Sequence, residues 1–130
     1  IFSSKNFDFF IAEIEIPNDD KISKRLGKKL QSYMSKDDVK KAYSLKIISN
    51  KEEKIVSRDT KGDPLIYELE IVSTIEVILE DNRTTKLNFS EKFTFNNDSN
   101  KFALSQYRKT IEQNLINNIY EKLIIRIQTL

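Results

Sequence analysis

The stretch LIYELEIVSTIEVILEDNRTTKLNFSEKFTF, residues 65–95, decides how the chain folds. Leu65, Tyr67, Leu69, Ile71, Ser73, Ile75, Val77 and Leu79 fall on every second position. The residues between them include Glu68, Glu70, Thr74, Glu76 and Glu80. That alternation is strand periodicity with one buried and one wet face. Beyond Asp81-Asn82-Arg83 it resumes on the same parity, with Leu87, Phe89, Phe93 and Phe95 inward and Lys86, Asn88, Ser90, Lys92 and Thr94 outward. The pattern predicts two long antiparallel strands joined by a tight turn. A turn centred on Asn82 would set Val77 opposite Leu87, Ile75 opposite Phe89 and Ser73 opposite Glu91. The two polar interruptions of the inward rows, Ser73 and Glu91, then form a structural polar pair, because an unpartnered buried carboxylate is costly.

An antiparallel sheet with one wet face needs a cover on the other, usually helices. The flanking segments supply it. Phe10, Ala12, Ile14 and Ile16 share one strand face up to Pro17, and Phe9 and Ile11 on the opposite face hint at a partner surface. Asn18, Asp19 and Asp20 offer cap oxygens for a helix with Ile22, Leu26, Leu30 and Met34 at four-residue steps, beside Tyr33. Gly27 weakens that helix by about 1 kcal/mol relative to Ala, which points to a packing reason such as close approach to a strand. After a polar connector over Ser35 to Lys41, the alternation of Tyr43, Leu45 and Ile47 continues to Ile55 and Val56 as one long strand, bulged near Asn50 to Glu53. Asp59 to Pro64, with Gly62, turns the chain into the hairpin. Following the loop at residues 96–100, Leu104, Tyr107, Ile111, Leu115, Ile119, Leu123 and Ile127 define a long helix, widened by Ile116, Tyr120, Ile124 and Leu130.

The predicted fold class is α/β, an α+β two-layer sandwich: a four-stranded, mostly antiparallel or mixed sheet with two helices packed on one face. The order is strand, helix, three strands, helix. The 130 residues are read as a single domain with a flexible lead-in over residues 1–6. Hydrophobic residues make up 38% and charged residues 32%, so the core is a thin layer rather than a barrel or large cavity.

Composition removes several function classes. There is no Cys and no His, hence no thiol chemistry, no ordinary zinc ligand set and no His-based triad. The 22 basic and 20 acidic residues leave +2, too little to steer the whole chain to polyanions. No apolar run approaches the roughly 18 residues that span a bilayer. The start at Ile1 rather than Met is one that a removed leader or tether would explain. Glu68, Glu70, Glu76 and Glu80 decorate a wet strand face, whereas acid–base catalysis needs an enclosed pair. Phe89, Phe93 and Phe95 with Lys86 and Lys92 suggest a stacking sheet for single-stranded RNA, but the rings share the helix-facing parity and the lysines do not. No Gly-rich phosphate loop is present. The candidates left for anion binding are the basic face of the first helix, Lys21 to Lys29 with Arg25 and Lys28, and the loop tip with Arg58 and Lys61. The residues alone reach a small, non-catalytic, two-layer binding module with no cofactor and no metal.

Several local strings resemble the lipopolysaccharide-assembly lipoprotein family LptE in its alphaproteobacterial form. They are Ile14-Glu15-Ile16-Pro17 followed by Ile22-Ser23-Lys24-Arg25-Leu26 and Leu30; the strand Tyr67-Glu68-Leu69; and Phe89-Ser90 to Phe95 running into Ser105-Gln106-Tyr107. Ile1-Phe2 would match the hydrophobic-aromatic pair that follows the lipidated cysteine of that family, and truncation would explain why the cysteine itself is missing. The resemblance implies a non-enzymatic, lipid-anchored outer-membrane protein on the periplasmic side. Its partners would be the LptD β-barrel, which it plugs and scaffolds, and lipopolysaccharide on its way to the outer leaflet. Its lipopolysaccharide contacts would fall on Arg58 and Lys61, with Arg25 and Lys28 as the alternative patch. The competing reading from a different class is a cytosolic sheet-based nucleic-acid or peptide-binding domain.

Overall fold

A computed structural model describes residues 8–34 and 41–130. The lead-in and all of the polar connector except Lys41 lie outside them. Strand β1 (Phe9–Glu15) leads into helix α1 (Lys21–Lys29), which tightens into a 3₁₀ turn over Leu30–Tyr33. The strands β2 (Lys41–Arg58), β3 (Pro64–Ile78) and β4 (Thr84–Asn96) follow, and helix α2 (Lys101–Gln128) closes the chain. The sheet order is β1-β2-β3-β4, with β1 parallel to β2 and the other pairs antiparallel. Both helices lie on the odd-numbered face of the hairpin, giving the expected two layers. Ile71, Ile75 and Val77 from the sheet and Leu115, Ile119, Leu123 and Ile124 from α2 are buried between them. Each such side chain contributes about 1.5–3 kcal/mol by leaving water.

Each helix starts where a side chain replaces a missing backbone acceptor. The Ser23 amide donates to Asp20 Oδ1 at 2.7 Å to open α1, and the Ala103 amide donates to Asn100 Oδ1 at 3.0 Å to open α2. Gly27 is buried against β1. A Cβ added there would lie 3.5 Å from Ile16 Cδ1 and 3.6 Å from Ile14 Cγ2, ordinary contact distances, so α1 packs beside β1 but the space does not demand a glycine.

The structure corrects three expectations from the sequence. In β1 the inward residues at the start are Phe9 and Ile11, not Phe10 and Ala12. Pairing with β2 slips between Ile11 and Glu13, so Ala12 is the extra residue of a bulge and the face switches, bringing Ile14 to the core. Phe9 stacks on Tyr33 at 5.5 Å, so the partner surface expected at Phe9 and Ile11 is core. In β2, pairing runs unbroken from Asn50↔Val72 to Glu53↔Leu69, and the irregularities fall at Ile55 to Arg58 instead. In the hairpin the odd positions do share a face, but the register is displaced by two: Val77 faces Thr85, Ile75 faces Leu87, Ser73 faces Phe89 and Ile71 faces Glu91. Asn82 takes the left-handed conformation (φ 66°) as the last turn residue, its amide donating to the Leu79 carbonyl at 3.0 Å. The loop is therefore centred on Asp81.

Ser73 and Glu91 consequently do not pair. Ser73 lies in a buried hydroxyl chain, with Ser23 Oγ donating to Ser49 Oγ at 2.8 Å and Ser49 and Ser73 Oγ 2.7 Å apart. This chain ties α1 to β2 and β3. The Glu91 carboxylate accepts from Lys122 Nζ, and from Asn118 Nδ2 at 3.4 Å, both on α2. The same arrangement explains the polar stretch of β2. Lys51 bonds Glu112 at 3.2 Å, and Glu53 receives Arg108 Nε and Nη2 at 2.7 and 3.0 Å. Lys51 and Glu53 on β2 and Glu91 on β4, the charges of their helix-facing rows, are thus each claimed by α2. They clamp the helix across the sheet and make the open edges poor templates for another strand.

Candidate functional site

Arg58 and Lys61 sit at the β2–β3 tip. Gly62, at φ 91°, makes the turn. Asp59 Oδ1 accepts the amides of Lys61 and Asp63, both at 2.9 Å. Arg58 folds back, its Nη1 donating to the Gly62 carbonyl at 2.8 Å. The tip thus sets two acids beside two bases, and one of the bases is already engaged.

Arg25 and Lys28 lie on the outer side of α1. Ser49, which the α1 residue Ser23 touches, is nine positions before Arg58 on β2. At about 3.3 Å per strand residue the two basic patches are separated by roughly 30 Å, so they do not form one site. Arg25 Nη1 contacts Glu112 Oε1 at 2.8 Å while Lys51 holds Oε2, and the Glu112 side chain is only 13% exposed. The carboxylate between α1, α2 and β2 is therefore neutralised twice. Lys29 reaches Asn117 Oδ1 at 3.5 Å and lies 5.8 Å from the Tyr120 ring centroid. Lys28 has no ion pair among the described residues.

Two shallow grooves flank this ridge. One, of about 450 Å³, is lined by Arg25, Lys28, Lys29, Gln113 and Ile116 between the helices. The other, of about 440 Å³, lies toward β1 and is lined by Ile14, Ile16, Gly27, Lys28 and Met34 with Lys24 and Gln31. Lys28 belongs to both. Lys51, Glu112 and Gln113 escaped the sequence reading because their meeting with α1 depends on where α2 crosses the sheet. The one-dimensional signal was the excess of Lys and Arg on α1.

The aromatic side chains at the far end serve the fold. Tyr67 and Phe95 stack at 5.5 Å, Tyr107 meets Phe95 edge-on at 5.9 Å, and Arg108 lies over the Tyr67 ring at 5.1 Å. Near them Phe93 on β4 and Phe102 in the first turn of α2 remain exposed, at 48% and 74%. The helix-free face of the sheet is mostly polar, with Ile48 and Val72 exposed among its charged and hydroxyl side chains. Lys46, Glu76 and Lys86 form one cross-strand row and Glu52, Glu70 and Lys92 another. Thr74 donates to Asn88 at 2.9 Å and Ser90 to Glu70 at 2.9 Å. No group of acidic side chains able to hold a metal exists among the described residues, and no described helix is long and apolar enough to cross a membrane. Burial pushes the Tyr33 and Tyr43 phenols upward, with Tyr120 adding to the first effect and Glu80 to the second.

This architecture is similar to that of three solved lipoproteins. Rare lipoprotein B from Shewanella oneidensis matches with a TM-score of 0.68 at 10% identity, over 90% of this chain and 94% of its own. An uncharacterized lipoprotein B from Nitrosomonas europaea gives 0.69 at 12%, over 98% and 88%. A minor lipoprotein from Acinetobacter baumannii gives 0.67 at 13%, over 95% and 92%. At such identities the likeness establishes a common fold. No family model and no curated protein matches the sequence.

Proposed function

We propose that the protein is a non-catalytic lipopolysaccharide-assembly component of the LptE kind. In this reading it is held at the periplasmic side of the outer membrane by a lipid anchor upstream of Ile1, and it plugs and scaffolds the LptD β-barrel. The observation that carries the reading is the fold shared, end to end, with lipoproteins. The sequence strings point the same way, from Ile14-Glu15-Ile16-Pro17 to Ser105-Gln106-Tyr107. The surfaces suit the role. A long sheet whose open face is mostly polar and hydrogen-bonded fits a water-lined lumen, and the exposed Phe93 and Phe102 offer apolar contact. Cations on the α1 ridge, or at the Arg58 and Lys61 tip, would grip lipid phosphates. Co-expression of the chain with LptD from its own organism tests the reading. A stoichiometric complex that survives high salt is expected, because large interfaces do not rest on rim charges. Failure of the two to co-purify, together with binding of single-stranded RNA, would replace it with the nucleic-acid alternative, which nothing in the comparisons supports.

A further inference from the structure

We propose that the α1 ridge is a built site for a phosphorylated amphiphile, with the headgroup phosphate held between α1 and α2 and an acyl chain laid over the ridge toward β1. This deepens the proposed function, since it names where on the protein such a lipid would sit. The groove between the helices is rich in donors and poor in acceptors. Lys28 has no ion pair among the described residues, the Lys29 ammonium is held only at 3.5 Å, and Arg25 has one nitrogen on Glu112 with the rest of its fork to spare. The carboxylate beside them is already balanced by Arg25 and Lys51. An incoming phosphate would thus meet uncompensated positive charge.

The case for an amphiphile over a free anion rests on Lys28. It forms the wall shared with the second groove, whose other lining includes Ile14, Ile16 and Met34. Met34 is 38% exposed. A flexible thioether beside two half-buried isoleucines is an adaptable apolar surface, one lysine stem away from the phosphate donors. The hairpin tip has neither feature: Asp59 and Asp63 offset its two basic charges, and neither groove that Lys28 lines extends to it.

The test is flotation of the purified chain with phosphatidylcholine vesicles, plain or doped with phosphatidic acid, alongside lipopolysaccharide micelles and inorganic phosphate. Binding to the doped vesicles and to the micelles is expected, and it should fall about tenfold or more in Lys28→Glu. Met34→Glu should weaken both similarly. Arg58→Asp with Lys61→Asp should change little, and millimolar phosphate should not displace the lipid. Lys28 and Met34 are both exposed, so these variants should fold, and circular dichroism checks that they do. If Lys28→Glu and Met34→Glu bind like the wild type while the tip variant does not, the ridge assignment is overturned and the lipopolysaccharide reading stands. Equal competition by inorganic phosphate would also overturn it, leaving only a simple anion site. If the wild type binds neither vesicles nor micelles, the lipid-handling reading falls with it.

Discussion

Replacing Gly27 by Ala should stabilise the protein, and the amount can be worked out from the packing of α1 on β1. A helix-interior glycine costs about 1 kcal/mol relative to alanine. The added methyl would sit in ordinary contact with Ile16 Cδ1 at 3.5 Å and Ile14 Cγ2 at 3.6 Å, so it fits without strain. Burying one such carbon contributes up to about 0.8 kcal/mol more. The expected gain is therefore about 1–2 kcal/mol, or roughly 3–10 °C in Tm for a domain of this size. Urea unfolding of four proteins separates the two contributions: wild type, Gly27→Ala, Ile16→Ala and the double variant. Without Ile16 Cδ1 the alanine should keep its propensity gain and lose part of its contact gain, a coupling of a few tenths of a kcal/mol. A destabilised Gly27→Ala would show instead that α1 lies closer to β1 than the isoleucine contacts allow.

Other outcomes follow from the core. Leu115→Asp should abolish cooperative unfolding at ambient temperature, since it places an unpartnered charge in the helix–sheet layer, whereas the exposed Lys109→Asp should shift Tm by no more than a degree or two. Ser49→Ala should cost about 1–3 kcal/mol in denaturant unfolding, because it leaves the hydroxyls of Ser23 and Ser73, both fully buried, without their shared partner. Raising pH should destabilise the fold. The Tyr33 and Tyr43 phenols hold their protons more tightly folded than unfolded, so the stabilisation is complete below the ordinary tyrosine value of about 10 and lost above it. Tyr33→Phe should flatten that alkaline decline, read as stability against pH from 8 to about 11.

Most of the architecture could be read from periodicity, because a half-buried strand and a helix laid on a sheet repeat their apolar residues at different intervals. The stripe from Leu104 to Ile127 and the alternation from Leu69 to Val77 needed no tertiary knowledge. Three things did. The face of β1 inverts at Ala12 through a bulge whose only sequence trace is that Phe9 and Ile11 look as apolar as Ile14 and Ile16. The hairpin register turned on which residue of Glu80-Asp81-Asn82 adopts φ above zero, and Asn82 does so from the last position rather than the middle. The roles of Lys51, Glu53 and Glu91 were hidden because each is balanced by a residue of α2, at least 31 positions away in the chain. The cations of the α1 ridge were visible as a charge run. Their flanking grooves exist only once α2 and β1 are packed beside them.

In the proposed role the helix-free face of the sheet would lie against the interior of the LptD barrel. A photo-crosslinking amino acid at Val72, exposed in the middle of that face opposite Asn50 and Ser90, tests it in cells of the source organism. An ultraviolet-dependent adduct with LptD is expected from Val72, and none from Lys28 on the opposite layer. Adducts from Lys28 alone, or no LptD adduct from either position in a protein that is folded and present in the envelope, would contradict it.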